Sequence, residues 1–527
     1  MSYDNTGTWQ KPDSVSDVLW QDVLEIREAF GAYLQGQMPE SEFRRFRLLR
    51  GIYGQRQPGV NMVRVKLPLG RVTAGQLRCL AEISQRFANG KAHVTTRQDI
   101  QFHFVPTPRV PEMIARLAKA NLTTREACGN TVRNVTACAL AGVCPHEHFD
   151  MTPYALAVSR YFLRHPLVQN LPRKFKIAFS GCEKDCALAA INDIGLVATV
   201  KETADANGKG FRMMVGGGLG PTPEVAHSLQ EFVPADELIP LCEAVLRVFD
   251  RHGERRNRNR ARLKFLIRRI GMEALAEYVA QEREKLPSHH PIEELAPDTF
   301  SAAISARTNT ELPPGFDQWQ ARNVAAQKQS GYYAVTVFAP KGDLTADQLS
   351  ALADAADQFG NSTARTTHDQ NVVLPWVHEL LLPTVYAFLQ AAGLAEPYAG
   401  TVADVVSCPA AASCRLGITR AKDLADYLIA LARPLAEEED LRDVSIKMSG
   451  CPNSCGQHHL GTFGFHGAAA TVNGQKAPCY QVLVGGRGKG GVTLAHPLAR
   501  VPARRIPEVV RRLIGVYRQH RVEGESL

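Results

Sequence analysis

Three observations predict an α/β chain, more closely α+β, built from two tandem halves. The first is self-similarity. VRVKLPLGRVTAGQLRCLAEISQRF from Val63 is matched by VTVFAPKGDLTADQLSALADAADQF from Val335, so Gly70, Leu77 and Phe87 correspond to Gly342, Leu349 and Phe359 at an offset of 272. VTTRQDIQ from Val94 resembles RTTHDQNV from Arg365. Cys138 and Cys144 recur as Cys408 and Cys414, offset by 270, and FSGCEKDC ending at Cys186 recurs as MSGCPNSC ending at Cys455, offset by 269. So small a drift over so long a stretch marks a tandem duplication with diverged halves. The second observation is that strand-period and helix-period stretches alternate within each half. The third is size: 527 residues, 45% hydrophobic and 22% charged, suit several packed globular units and exclude a single small module or widespread disorder.

In chain order, residues 15–34 have helical spacing and lie ahead of the repeat, as a helix packed on the outside. Residues 61–67 alternate apolar and polar and read as a strand, as do residues 100–105. Between them, residues 73–87 have helical spacing, with Thr73 as N-cap. Residues 174–179 read as a strand running into a Gly-Cys turn. Residues 286–322, with LPSHHP, APD and LPPG, read as the linker between halves.

Lys plus Arg number 61 and Asp plus Glu 53, a net charge of +8. That is mild for this length: it suits an acidic protein partner or an anionic ligand and falls short of a nucleic-acid coat. The opening MSYDNTGTWQKPDSVSD has neither the basic start nor the apolar stretch of a secretory signal, and no long apolar run predicts a membrane span. The expected location is therefore cytoplasmic, and the twelve cysteines are expected as reduced thiols.

Eight of those cysteines form two copies of one pattern, C-x5-C followed by C-x3-C: Cys138, Cys144, Cys182 and Cys186, then Cys408, Cys414, Cys451 and Cys455. Four thiolates can hold a structural zinc or an iron–sulfur cluster, and C-x5-C is wide for a zinc knuckle. Buried unligated cysteine explains single residues better than two spaced quartets. Cys79, Cys128, Cys242 and Cys479 have no such pattern and read as core. VGGGLG and VGGRGKGG match neither a P-loop nor a dinucleotide fingerprint, and read as tight turns.

The combination SCPAAASC…MSGCPNSCG, with VRVKLPLG, TTRQDIQFH, GNTVRNV and LPRKFK upstream, resembles the sulfite/nitrite reductase family that carries sirohaem. The likeness runs from about residue 50 to the end. It implies a tandem-duplicated fold with two pseudo-twofold-related halves. On that basis a helical extension (1–55) is followed by a ferredoxin-like half-domain (56–120) and a sirohaem/Fe–S domain (121–285). A linker (286–325), a second ferredoxin-like half-domain (326–397) and a second sirohaem/Fe–S domain (398–527) complete the chain. By resemblance, Cys408, Cys414, Cys451 and Cys455 hold a [4Fe–4S] cluster and Cys455 also bridges to the sirohaem iron. Arg64, Arg133, Lys174 and Lys176 bind the anion, with the lysines as proton donors. Arg97, Gln101 and His103 match the segment that binds the macrocycle's carboxylates.

Chemistry agrees with this set. Reduction of sulfite to sulfide needs six electrons, which no side chain supplies, and a protein that grips an oxyanion and protonates its oxygens. Lys174 and Lys176, two apart, would project from one strand face, although alone they would read as a solvated edge. The basic run from Arg251 to Arg269 lacks interleaved aromatics and leads into an apolar helix, so a structural or cofactor-facing role is expected rather than nucleic-acid binding. No flavin, nicotinamide or ferredoxin motif is present, so electrons are expected from a ferredoxin or a flavoprotein subunit.

Within this family, sulfite reductases resemble the LPRKFK pattern, whereas ferredoxin-type nitrite reductases tend to place Asn at the position of Lys176. The more highly charged sulfite suits two lysines, while the GNTVRN…LAG context is nitrite-reductase-like. Sulfite is the expected substrate and nitrite the alternative; a non-catalytic cysteine-rich metal-binding or redox-sensing protein is an alternative of another class. The positions matching Arg64, Arg133, Lys174 and Lys176 in the second half are Thr336, Ala403, Asp443 and Ser445, none able to clamp an anion. The mirror site thus keeps cysteines without the basic set. Cys138, Cys144, Cys182 and Cys186 are a possible second [4Fe–4S] site, or relics without metal.

Overall fold

Residues 9–201, 208–293 and 312–522 are described by the computed structural model of the chain. Helix Asp17–Leu34 starts at Ser16, whose hydroxyl accepts from the Leu19 N–H, and buries Trp20, Val23, Ile26 and Phe30 along one stripe. Helix Glu40–Leu49 follows it.

Two antiparallel sheets are built from both halves. One runs Ile52–Gly54, Val60–Val65, Ile100–Pro106, Lys91–Val94 and then Asp343–Thr345 from the other half. Its counterpart runs Val324–Ala326, Tyr332–Val337, Val372–His378, Thr363–Thr366 and then Arg71–Thr73 from the first half. Each half therefore donates the closing strand of the other's sheet, in the registers Asp343↔His93 and Thr363↔Thr73. The helices that follow the donated strands, Ala74–Phe87 and Ala346–Phe359, are each entered through a capping box. Gln76 N donates to Thr73 Oγ1 at 3.2 Å, and Gln348 N to Thr345 Oγ1 at 3.2 Å. One apolar core spans both sheets and both helices.

At the pseudo-twofold axis the two halves exchange identical hydrogen bonds. Gln98 Nε2 donates to Thr366 O, and Gln370 Nε2 to Val94 O, both at 2.8 Å. The same two side-chain carbonyls accept from Ala137 N at 3.0 Å and Ser407 N at 2.8 Å. Gly70 and Gly342, at φ +71 and +73, sit against this crossing; a Cβ there would lie 2.5 Å from Thr366 O and 2.4 Å from Val94 O. The register corrects the motif comparison by one residue: Gln98 stands opposite Gln370, so Val94 matches Thr366 and not Arg365.

The other two sheets each belong to one half and place the cysteines. Thr136–Ala137, Ile177–Ser180 and Ile194–Val200 are parallel, with Lys209–Val215 and His227–Pro234 antiparallel beyond them. Val406–Ser407, Ile446–Ser449, Phe463–Val472, Gln475–Val484 and His496–Pro502 repeat the arrangement. Each sheet has its own core.

Two expectations change. The strand expected over residues 174–179 begins only at Ile177. Ahead of it Lys176 N donates to Asp193 Oδ2 at 2.8 Å rather than to a ladder partner, and Phe175 joins Val132 by an isolated bridge. The middle of the expected linker, residues 294–311, lies outside the described residues. Its end forms the helix Phe316–Asn323, which buries Phe316 and Trp319 in the shared core. No described helix is long and apolar enough to cross a membrane.

Candidate active site

Cys408 follows the short strand Val406–Ser407, and Cys451 and Cys455 lie in the turn after the neighbouring parallel strand, so the sheet brings the two cysteine pairs together. The Gly450 N–H donates to Cys408 Sγ at 3.2 Å. Burial raises the Cys408 thiol to about 12, with the charges of Cys455 and Cys451 adding to the effect. Burial also raises Cys414 and Cys451, which likewise feel Cys455. None of the four is in a disulfide. Among the described residues no three His, Cys, Asp or Glu side chains converge as around a single metal ion. A cubane, whose irons each take one thiolate, asks for the wider spacing of a quartet. Metal coordination removes the thiol protons and replaces like-charge crowding by attraction to iron.

The loop carrying Cys414 is held from the other half. Arg56 N donates to Ser413 O at 2.9 Å and Gln57 Nε2 to Ala412 O at 2.9 Å, while Arg415 Nε returns a bond to Gln55 O. Thr96 Oγ1 donates to Cys455 O at 2.8 Å, which seats the TTRQD segment of the first half on the last cysteine of the second.

Basic residues of the first half gather beside that cysteine. Arg64 and Gln101 are cross-strand neighbours. With its amide turned to satisfy both sides, Gln101 accepts from Arg64 Nη2 at 2.7 Å and Nε at 2.9 Å, and donates to His103 Nε2 at 3.3 Å. Arg133 is buried, and its guanidinium is fixed by three backbone bonds, Nη1 to Ala127 O and both Nε and Nη2 to Gly129 O, at 2.9 to 3.1 Å. Lys174 and Lys176 flank the fully buried Phe175 and keep part of their surface open. Burial, with Arg262, Arg133 and Arg173 nearby, pushes Lys174 down to about 7 against the pull of Cys455. Burial, Arg97 and Lys174 push Lys176 well below the ordinary lysine value. The charge of Cys455 also reaches Arg64. Arg97 donates to Asn192 Oδ1 at 2.9 Å and to Asn134 O, and burial lowers it to about 10.

The expected residues are therefore brought together: the basic set from one half beside the cysteines of the other. His103 lies somewhat apart, in a group with His93, Asp343 and Lys422.

Several site residues escaped sequence reasoning. Within the basic run, Arg262 is buried and pairs with Asp193 through Nε to Oδ1 at 3.0 Å and Nη2 to Oδ2 at 2.7 Å. Lys264 turns away to backbone carbonyls at Gly218 and Leu219. Asp99, buried among Arg64, Arg97, Lys66 and Arg133, is pushed up to about 6 by desolvation despite them. Cys128, expected as plain core, is indeed buried, but between Arg64, Arg133 and Tyr53. The only sequence signal was local: Asp99 within TTRQD and Arg262 within the basic run.

Comparisons with known proteins converge. The family model described as nitrite and sulphite reductase 4Fe-4S domain matches residues 128–287 and 398–526, and the nitrite/sulfite reductase ferredoxin-like half domain matches residues 53–120 and 325–392. An assimilatory ferredoxin-dependent nitrite reductase of Haloferax mediterranei is 32% identical, over 97% of this chain and 89% of its own. A sulfite reductase [ferredoxin] of Mycobacterium tuberculosis is 30% identical, over 90% of this chain and 85% of its own. The structure of the M. tuberculosis NirA protein superposes with a TM-score of 0.81 at 27% identity, covering 99% of this chain and 97% of that one. With both domain types present twice and in the same order, the chain belongs to the nitrite and sulphite reductase family, as an oxidoreductase whose fold implies sirohaem with a [4Fe–4S] cluster.

Proposed function

We propose that the chain reduces sulfite to sulfide with electrons from a ferredoxin, and that nitrite is the weaker substrate. The observation that supports it is the Lys174–Lys176 pair beside Arg64, Arg133 and Cys455. Two lysines close enough that the charge of Lys174 lowers Lys176 suit an oxyanion of higher charge better than nitrite.

The site has the donors that a polycarboxylate macrocycle and an anion require. The cations Arg64, Arg97, Arg133, Lys174, Lys176 and Arg262 outnumber the neighbouring carboxylates Asp99 and Asp193. Buried positive charge in excess is costly unless anions neutralise it. Cys408, Cys414, Cys451 and Cys455 would hold the cluster, Cys455 the shared thiolate, and Arg97, Gln101, His103 and Arg262 the macrocycle carboxylates. When bound, these groups would pass the donor's electrons to the substrate and supply the iron that takes its lone pair.

The chain's own part is electrostatic and prototropic. Arg133, locked by backbone carbonyls, presents its remaining N–H groups without reorganisation. Lys174 and Lys176 hold protons at Nζ for the oxygens that leave as water. Asp99, raised to about 6 by burial, lies among Arg64, Arg97, Lys66 and Arg133 and offsets part of their charge. Family membership sets aside the non-catalytic alternative. The nitrite reading is favoured by the Haloferax relative, a nitrite reductase at comparable identity.

Steady-state turnover of both anions with reduced ferredoxin tests the assignment. Sulfite should have the higher kcat/KM, and Lys176→Asn should shift the ratio toward nitrite by about tenfold. A preference for nitrite in the unaltered enzyme would reverse the assignment. Added salt should lower kcat/KM for an acidic ferredoxin while leaving a small neutral reductant unaffected, given the +8 charge.

A further inference from the structure

We propose that the first half binds a second [4Fe–4S] cluster, on Cys138, Cys144, Cys182 and Cys186, with no macrocycle attached. The duplication lets one chain serve as its own control, since the same fold carries two sites whose parts have diverged unequally. This comparison takes the second-half quartet as a cluster site.

Most of the devices that position the second quartet have an equivalent around the first; Thr96 and Arg415 are replaced by His368, which bonds Thr96 O, and by Pro145. Cys138 N donates to Phe179 O at 3.2 Å, as Cys408 N does to Met448 O at 3.4 Å. The C-x3-C turns share left-handed residues, Asp185 and Leu188 in one, Ser454 and Gln457 in the other, all with φ between 46° and 57°. In both, a strand-end serine receives the turn: Ala187 N to Ser180 Oγ at 3.2 Å and Gly456 N to Ser449 Oγ at 3.0 Å.

The cross-half clamp is also duplicated. Lys328 N donates to Val143 O at 2.9 Å and Gln329 Nε2 to Gly142 O at 3.0 Å, the counterparts of Arg56 and Gln57 on Ser413 and Ala412. Lys328 Nζ adds a 2.7 Å ion pair to Glu147 beneath that loop. The thiols are near neighbours: Cys138 feels Cys186 and Cys182, and Cys144 acts on both Cys182 and Cys186.

What surrounds the quartet is different. The positions of Arg64, Arg133, Lys174 and Lys176 hold Thr336, Ala403, Asp443 and Ser445. The register at Gln98 and Gln370 puts Asp369 where the other site has Arg97, which inverts the charge. Asp369 is bracketed by Lys447 at 2.8 Å and Lys489 at 2.6 Å. Lys489 also acts on Cys186, and Gly490 N closes the loop onto Lys184 O at 2.8 Å. Asp369 takes up one of the two lysine charges beside Cys186, where the other site presents a larger excess of cations beside Cys455. Such a group offers less to a ring of carboxylates, while the thiolate set remains whole. Four ligands with most of their supporting frame, facing a half that lacks the anion residues, are what a cluster without haem requires.

Iron and acid-labile sulfide counted on the anaerobically purified holoenzyme test the site. About eight non-haem irons and about eight sulfides per chain are expected, and about four, with or without zinc, overturns the inference. On reduction a second cluster signal, free of magnetic coupling to the haem iron, should appear by EPR; its absence overturns it equally. The double variant Cys182→Ala/Cys186→Ala should fall to about four irons with the sirohaem absorption kept, and iron unchanged at about eight would misplace the site. Should the variant not accumulate, the count on the unaltered enzyme decides. Sirohaem is read separately by its absorption, so loss of the catalytic reading and loss of the second cluster cannot be confused.

Discussion

Lys174 carries the site's pH dependence because burial and the guanidinium of Arg262 bring it to about 7, where an ordinary lysine stays charged. The charged form predominates below that value and is lost above it, and an oxyanion favours the charged form. KM for the anion should therefore climb as pH rises past about 7, with the limb displaced upward in the loaded enzyme by the negative charge of substrate and macrocycle. Lys174→Arg, whose guanidinium stays protonated, should flatten that limb while lowering kcat, since arginine yields no proton. A limb that persists in this variant assigns the titration elsewhere. At this scale the cysteine quartets were legible from their spacing, whereas the four basic residues were picked out only through the family resemblance, since a lysine pair alone reads as a solvated edge. Arg262, Tyr53 and Cys128 were not, since they reach the site from distant segments: the Asp193 carboxylate that fixes Arg262 is 69 residues away in the chain.

Among the elements, those with local instructions were legible. Thr73 and Gln76 enclose the start of helix Ala74–Phe87 as a box that can be read from four residues, and Thr345 with Gln348 repeats it. Thr73→Ala and Thr345→Ala should each lower stability by about 1 kcal/mol, seen as a lower melting temperature with turnover at room temperature unchanged. Gly70→Ala should do more, roughly 2 kcal/mol or more, because it combines a positive φ with an approach of 2.5 Å to Thr366 O. If calorimetry finds Gly70→Ala milder than Thr73→Ala, the crossing at the axis is looser than its hydrogen bonds indicate. The strand start at Ile177 was misjudged because periodicity registers side chains alone. The Lys176 N–H is satisfied by Asp193, 17 residues on, and that bond leaves no trace in the alternation.

At the scale of the molecule the repeat announced two halves but not that each is incomplete. The exchange of Asp343–Thr345 for Arg71–Thr73 rests on three-residue strands, too short to stand out in sequence, yet it decides how the chain folds. Separated from its partner, either half would expose a sheet edge at Lys91–Val94 or Thr363–Thr366, together with apolar faces that now share one core. It would also lose the clamp on its own C-x5-C loop, since Arg56 and Gln57 serve Cys414 while Lys328 and Gln329 serve the loop after Cys138. Residues 1–293 expressed alone should therefore aggregate and bind no cofactor, and residues 312–527 should behave likewise. Co-expressed, the two pieces should associate and recover sirohaem absorption, because the contacts that complete each half are non-covalent. A first half that is monomeric and cooperatively folded in isolation, by size-exclusion chromatography and thermal unfolding, would show that the exchanged strands decorate the fold rather than complete it.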